Sequence, residues 1–390
     1  MDTWSIILSI PFAITLISSL ILFLIFVVKW KPHVADADMP SVSVFVPFYN
    51  EDSDLIIKSL NKIDDQIYPE KIQVIIIDDG STNNAPAAVQ RWLTYERKHE
   101  YVFVQREKNG GRKGIALDYV LEKDIARGDV YIVVDSDTFI EKDGVYELAS
   151  KMWSDPRYAA VCGYIVPENY QGSLIGRSQY YEHIGVYGAF RAAQDQLGIV
   201  PVLAGAFVAH RAEVVKELGG WSEWLVEDIS WCWKAIANNY RTGYAASAMA
   251  TTQCPINRKD LFKQRRRWAR GRVEAYLETW KVSKKMGFLS SPWFLMNALQ
   301  YCIPPMIIAV PLMIYFSLWL PLSIIGINLI VDIIFMSIFI RKSGNRAKIN
   351  IRDVLNIPFF FSLLEVITWL PNILGYVDEL SGKDKSWLTR

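Results

Sequence analysis

The sequence predicts an α/β domain built on a parallel sheet and carried by membrane-crossing helices, one N-terminal and about three C-terminal. Three observations carry that prediction. Long, nearly uncharged stretches stand towards both ends of the chain. Short β-branched runs between them alternate with polar stretches of helical length. Three of those runs end in acidic or amide residues.

Composition narrows the function classes. The chain has 390 residues, with 42 Lys+Arg against 41 Asp+Glu and a net charge of +1. A protein that coats nucleic acid carries a large basic excess, so nucleic acid is not an expected partner. Hydrophobic residues at 51% and aromatics at 13% speak against disorder. Only 21% are charged and the mean hydropathy is +0.14, which leans towards a membrane protein. Cys162, Cys232, Cys254 and Cys302 form no C-x-x-C pair, which argues against a disulfide scaffold or a Cys-based zinc site and fits a reducing compartment. Four His without an H-E-x-x-H pattern argue against a His-ligated metal centre.

Taken in order, residues 5–28 carry no charge, and at about 1.5 Å per residue they cross about 30 Å of hydrocarbon. A cleaved signal peptide has its basic residues in front; here Asp2 leads, and Lys29 and Lys31 follow. The positive-inside rule then puts the next domain in the cytoplasm. Residues 293–340 hold a single charge, Asp332, and fit two spans with a break near Trp319 and Pro321. Residues 341–352 contain Arg341, Lys342, Arg346, Lys348 and Arg352 and no acid, so they read as a cytoplasmic loop. Residues 357–377 hold only Glu365; they span or lie in the interface, and spanning is the favoured reading. The expected layout is a transmembrane helix at 1–31, a cytoplasmic domain at 40–255, interfacial amphipathic helices at 256–290, transmembrane helices at 293–377 and a tail at 378–390. Asp332 and Glu365, on the same apolar runs as Trp319 and Trp369, either are functional carboxylates inside the membrane or lie near a membrane boundary.

In the soluble part, residues 41–47, 73–77, 101–105 and 130–134 read as strands, and 52–64 and 87–98 as helices. Near-continuous apolar strands imply a parallel sheet buried on both faces. Asn50 and Glu51, Asp78 and Asp79, and Asp135 and Asp137 then stand at carboxyl ends of strands, the rim where open parallel sheets bind ligands. Carboxylates crowded on one rim need a cation, and Asp-x-Asp past a strand offers oxygens to Mg²⁺ or Mn²⁺. Such a tripeptide is also common in turns and helix caps. These ions keep waters and bind substrate phosphates, so a phosphate-bearing substrate is expected.

Six motifs occur in order: Val46 to Glu51 (VPFYNE), Asp78-Asp79-Gly80-Ser81, Lys113 within GGRKGIAL, Asp135-Ser136-Asp137, Glu227-Asp228, and Gln264-Arg265-Arg266-Arg267-Trp268. Over residues 40–280 and the flanking apolar helices, the chain resembles the inverting, membrane-integrated family 2 glycosyltransferases, among them cellulose, hyaluronan and poly-N-acetylglucosamine synthases. GGWSEWLVEDISWCWK and FKQRRRWARGRVE are most similar to the last group.

The resemblance implies a nucleotide-sugar-binding α/β domain of the GT-A type. It implies that Pro47, Tyr49, Glu51 and Asp79 contact the uridine and that Asp135 contacts the nucleotide. Asp137 would hold the metal, Mg²⁺ or Mn²⁺. Lys113 and Arg267 would neutralise the departing diphosphate, and Gln264 would hydrogen-bond near it. Asp228 matches the catalytic base, Glu227 orients its surroundings, and Trp268 stacks on the acceptor sugar. One base suffices because a metal-bound diphosphate leaves without protonation, unlike the leaving group in glycoside hydrolysis. This chain departs from the pattern at Val226, often Thr; at Arg112, often Gly; and at residues 202–207, which lack a Cys or Ser-rich form.

Residues 258–272 are strongly basic, with Trp268, Val273, Tyr276, Leu277 and Trp280 interleaved or close behind, which fits an amphipathic helix on an anionic leaflet. The expected activity is processive transfer from a UDP-sugar, best UDP-N-acetylglucosamine, onto a growing β-linked polysaccharide at the cytoplasmic face of the plasma membrane, with export through the chain's own helices. Four spans are few for a conduit, so a small membrane partner subunit or a homo-oligomer is expected. The alternatives are transfer of one sugar to a lipid and a catalytically silent export scaffold.

Overall fold

The computed structural model describes residues 3–34, 38–221 and 224–383, so residues 384–390 of the expected tail lie outside it. Its first half follows the β-branched runs: β1 (Val42–Phe48), α2 (Ser53–Asp64), β2 (Gln73–Asp78), α3 (Ala85–Leu93), β3 (Glu100–Gln105), α4 (Lys113–Glu122) and β4 (Val130–Val134), preceded by α1 (Thr3–Lys29). β1, β2 and β4 are buried along their whole lengths, as strands covered on both faces must be. These four strands are parallel, in the order β3-β2-β1-β4.

The sheet then continues in a mixed sense. β5 (Thr138–Ile140), α5 (Gly144–Trp153), β6 (Tyr158–Pro167), α6 (Leu174–Glu182), a π-helix (His183–Phe190), α7 (Arg191–Asp195), β7 (Phe207–Arg211), α8 (Ala212–Glu217), α9 (Glu227–Ala237) and β8 (Arg241–Thr252) follow. The full order is β3-β2-β1-β4-β7-β6-β8-β5. β7 runs antiparallel to both neighbours, β6 and β8 are parallel, and β5 is antiparallel to β8. The parallel sheet expected from sequence is therefore one half of an eight-stranded mixed sheet. The core lies on both faces, with Phe45, Tyr131 and Val133 on one and Val44, Val46 and Ile132 on the other.

After the sheet come α10 (Arg258–Val282), α11 (Lys284–Leu299), α12 (Met306–Tyr315), α13 (Trp319–Lys342) and α14 (Ile357–Leu380). α1, α13 and α14 are long and apolar enough to cross a membrane; α11 and α12 make a fourth candidate only if their bent pair is one span. The break between α12 and α13 falls at residues 316–318, beside the expected place. The preceding span is not straight. α11 and α12 meet at 70° across Pro304 and Pro305, because proline donates no backbone N–H and disfavours helix in the residue before it. The Glu365 carboxylate on α14 accepts from the freed N–H of Met306 at 2.8 Å. Asp332 accepts from Asn328 one turn earlier at 3.0 Å. Glu365→Leu orphans the Met306 donor, and a loss of about 1–3 kcal/mol is expected. Glu365→Gln keeps an oxygen acceptor and should melt near the parent; thermal unfolding of the detergent-solubilised protein compares the two.

The membrane-length helices are packed onto the sheet. Phe26 of α1 and Trp30 just past its end meet Phe339 of α13, and Phe339 meets Tyr164 of β6 edge-on at 5.9 Å. α10 faces protein over much of its length. Arg265, Arg266 and Arg270 pair with Glu182, Asp378 and Glu379, so carboxylates rather than a lipid leaflet neutralise that stripe of the basic run.

Candidate active site

β2, β1 and β4 are neighbours, so their carboxyl ends place three polar turns side by side. Asn50, in the left-handed region at φ 49°, accepts from the Thr82 N–H at 2.8 Å, and its own N–H donates to Ser81 Oγ at 2.8 Å. Asn tolerates that conformation better than most residues. Glu51 is buried and accepts from Ser136 Oγ at 2.7 Å, which ties the first turn to the Asp135-Ser136-Asp137 turn. Tyr49 is exposed, and Pro47 sits in β1.

The two carboxylates of the second turn have different partners. Asp78 is fully buried and accepts from the Ser81 N–H and from Gln105 Nε2. Asp79 pairs with Arg106 and accepts from the Gly110 N–H at 3.1 Å. Burial pushes its carboxyl above the ordinary value against both of those interactions.

Lys113, the first residue of α4, joins the halves of the site. Its Nζ stands 2.6 Å from Asp135 Oδ1 and 3.3 Å from Glu227 Oε1, and donates to the Gly205 carbonyl at 2.9 Å. Burial alone lowers a lysine's pKa, but Asp135, Glu227 and Asp228 hold this one well above its usual value. The same peptide segment reaches the other carboxylate: the Gly205 N–H donates to Asp228 Oδ2 at 3.1 Å. A Cβ on Gly205 would lie 2.6 Å from that oxygen, so only glycine lets loop and carboxylate meet this closely. Asp228 lies in the first turn of α9, where its Oδ1 also accepts from the Ile229 N–H. Desolvation and Glu227 push its carboxyl up to about 6, against Lys113, Arg267 and the Gly205 N–H.

Asp137 is buried and accepts from Thr252 Oγ1 at 3.4 Å; the Asp135 side chain is 38% exposed. Among the described residues, no three His, Cys, Asp or Glu side chains gather as a metal cage. The oxygens on offer suit a hard cation that takes its remaining ligands from water and phosphate.

α10 brings the last motif. Trp268 is partly buried, and the Arg265 guanidinium lies 4.6 Å from its ring centre. Gln264 Oε1 is buried with no hydrogen-bond partner, an acceptor held in reserve. Two contacts dock this helix on the Asp228 loop. A Cβ on Gly271 would come within 2.5 Å of Val226, and the Glu274 carboxylate accepts from the Leu225 N–H at 3.0 Å and from Ser230 Oγ at 3.2 Å.

The structure thus gathers Lys113, Asp135, Glu227 and Asp228 through direct contacts and the Gly205 loop, and places Glu51 and Asp137 on the adjoining turn. Sequence reasoning missed Arg106 and Glu274, and reached Gly205 only as part of the loop 202–207. A signal existed only for Glu274, an acid inside a helix face otherwise rich in buried small and apolar residues. Trp221, Trp224, Trp231 and Trp233 are core residues. His210 packs between Trp221 and Trp231, and burial drops its pKa to about 3, so it stays neutral.

Residues 43–219 match the family model for glycosyl transferase family 2. The poly-β-1,6-N-acetyl-D-glucosamine synthase of Staphylococcus aureus strain MSSA476 is 29% identical over 248 residues, 63% of this chain and 58% of its own length. That of Staphylococcus epidermidis is 29% identical over 245 residues, 62% of this chain and 57% of its own. The chain therefore spans a little under three-fifths of the length of these relatives. A mannosyltransferase from Pyrobaculum calidifontis, solved with GDP-mannose and Mn²⁺, superposes with a TM-score of 0.65 at 20% identity, covering 97% of this chain and 99% of that one. The fold is GT-A-like, and the match to glycosyl transferase family 2 covers residues 43–219.

Proposed function

We propose that this chain, built around a family 2 glycosyltransferase domain, is a processive inverting glycosyltransferase. It takes a sugar from a UDP-sugar, best UDP-N-acetylglucosamine, and adds it to a growing β-linked polysaccharide. One observation carries the reading. Lys113, beside the Asp135 turn, and Asp228, at the head of α9, hold the two backbone groups of one residue, the carbonyl and the N–H of Gly205. A group that neutralises a diphosphate and a group that takes a proton are thereby held in one small space.

The residues fit a divalent cation. Asp137, with Asp135 beside it, would hold Mg²⁺ or Mn²⁺, which when bound supplies positive charge to the diphosphate leaving group. Pro47, Tyr49, Glu51 and Asp79 frame the nucleoside pocket. Lys113 and Arg267 offset the charge that builds on the diphosphate, and Gln264 donates a hydrogen bond beside it. Trp268 offers an aromatic face to the C–H side of the acceptor sugar. Asp228 takes the proton of the acceptor hydroxyl as that oxygen attacks the anomeric carbon from the side opposite the leaving group. Glu227, 3.3 Å from the lysine nitrogen, holds Lys113 in place.

A base must be ionised to act. Since the Asp228 carboxyl is pushed up to about 6, activity is expected to rise with pH through that value and to fall away below it. Initial rates at saturating donor from pH 5 to pH 8 check this; a flat profile argues against a base of that kind.

We place the catalytic domain on the cytoplasmic side of the plasma membrane. The basic loop after α13 lies against that domain, with Arg346 2.7 Å from Asp143 and donating to the Ser247 carbonyl at 2.9 Å. Lys342 reaches the Val27 carbonyl of α1. Both basic clusters flanking the spans therefore stand on the same side, the one positive charge favours. The bilayer, the growing polymer and a small membrane subunit or second copy are the partners this reading calls for.

The test is nucleotide release by the purified protein with Mg²⁺ or Mn²⁺ over a panel of single UDP- and GDP-sugars, with products sized. One productive donor and a long product support the proposal. Activity only with added polyprenyl phosphate or diacylglycerol replaces polymerisation with single transfer to a lipid. Silence with every donor and acceptor leaves an export scaffold.

A further inference from the structure

The Glu182–Arg265 pair has no part in the chemistry derived above, yet it is a buried, two-pronged carboxylate–guanidinium fork on the helix that carries Trp268. Arg265 Nη1 donates to Glu182 Oε1 at 2.7 Å and Nη2 to Oε2 at 2.6 Å. Both side chains are nearly sealed from solvent, at 6% and 11% exposure. Burying such a pair adds little net stability, because desolvation offsets the attraction. What a two-pronged fork does fix is orientation.

The oriented object lies one turn along α10. Residues three apart share a helix face, and the Arg265 guanidinium sits over the Trp268 ring at 4.6 Å. The other end of the fork is anchored as firmly. Glu182 closes α6 where the chain passes into the π-helix, whose wider winding shifts the register of the residues that follow. That π-helix is pressed against α13: a Cβ on Gly185 would lie 2.6 Å from the Met336 sulfur, and one on Gly188 2.6 Å from Phe339. His183 Nδ1 is bonded to the Ile165 carbonyl of β6 at 3.0 Å. Glu182 is therefore fixed to the sheet and to a membrane-length helix together.

We infer that Glu182 is a positioning residue for the acceptor: through its fork with Arg265 it sets the tilt of the Trp268 ring, and so the aim of the acceptor hydroxyl at the anomeric carbon. This rests on the glycosyltransferase reading and on Trp268 meeting the acceptor. The fork's contact runs to Trp268, while Lys113, Asp135 and Asp79 are held by partners of their own, so loss of the fork should separate two reactions that share a donor site: transfer to sugar, and hydrolysis of the donor by water.

The experiment uses the full chain in detergent or nanodiscs and measures both rates for the parent, Glu182→Gln, Glu182→Asp and Arg265→Lys. Glu182→Gln should lower transfer by about 100-fold, the cost of misplacing a reacting group by about 1 Å, while donor hydrolysis stays at the parent rate. Glu182→Asp, which keeps the carboxylate, should recover part of the transfer. Arg265→Lys, which keeps the charge but loses the fork, should resemble Glu182→Gln. Equal transfer by Glu182→Gln and parent overturns the inference, and so does a parallel fall in hydrolysis and transfer across all three variants, which assigns the pair to folding. A parent that neither transfers nor hydrolyses any nucleotide sugar instead sinks the glycosyltransferase reading itself.

Discussion

Asp228→Asn is expected to stop sugar transfer, by a factor of about 10²–10⁴, while leaving nucleotide-sugar binding intact. The amide is isosteric, and its one oxygen can still accept from one of the two N–H groups, Gly205 or Ile229, that hold the aspartate through separate oxygens. What it cannot do is take a proton. Glu227 is no substitute, since it is buried against Lys113. Donor affinity from calorimetry and transfer rates on the same preparation separate the two effects. The rise in rate through about pH 6 should vanish with the carboxylate. Substantial transfer by Asp228→Asn would move the base elsewhere.

Lys113→Ala should be damaging in two ways at once. The side chain sits among Asp135, Glu227 and Asp228, and its loss leaves those charges facing one another. Removing one partner of a fully buried pair costs about 3–5 kcal/mol. Asp135 is partly solvated, so a loss nearer to about 2 kcal/mol is expected, borne chiefly by Glu227. The second effect is functional. Lys113 lowers the Asp228 pKa, so its removal should shift the rising limb of the pH profile upward from about 6. Donor affinity should fall as well, because the diphosphate loses a cation. A variant with the parent's pH profile and donor affinity would show that Lys113 serves the fold alone.

The legible parts of this protein were those written in local pattern. β1 to β4 are continuous apolar runs, and their carboxyl ends announced the rim. β8 was hidden because its sequence, RTGYAASAMATT, is mostly Ala, Ser and Thr, and draws its burial from neighbours rather than from its own hydrophobicity. The mixed half of the sheet went unseen for that reason. Charge patterning along α10 suggested a leaflet, but Asp378 and Glu379 stand more than a hundred positions away in sequence and Glu182 more than eighty. No local count of charges reveals such pairings. In the site, Asp228, Lys113 and Asp135 each sat in a recognisable motif. Gly205 sat in the loop 202–207 set against the family pattern, but its meaning is a close approach between two loops, and that exists only in the folded chain.

The central claim is a single displacement driven by one carboxylate, and the most direct measurement is the anomeric configuration of the first new linkage. Proton NMR of an early product made from an α-linked nucleotide sugar reads it from the H1–H2 coupling. A β linkage is expected, because Asp228 directs the acceptor to the face opposite the diphosphate. An α linkage would contradict it and would require a second displacement, with a nucleophile in the site that this arrangement does not assign.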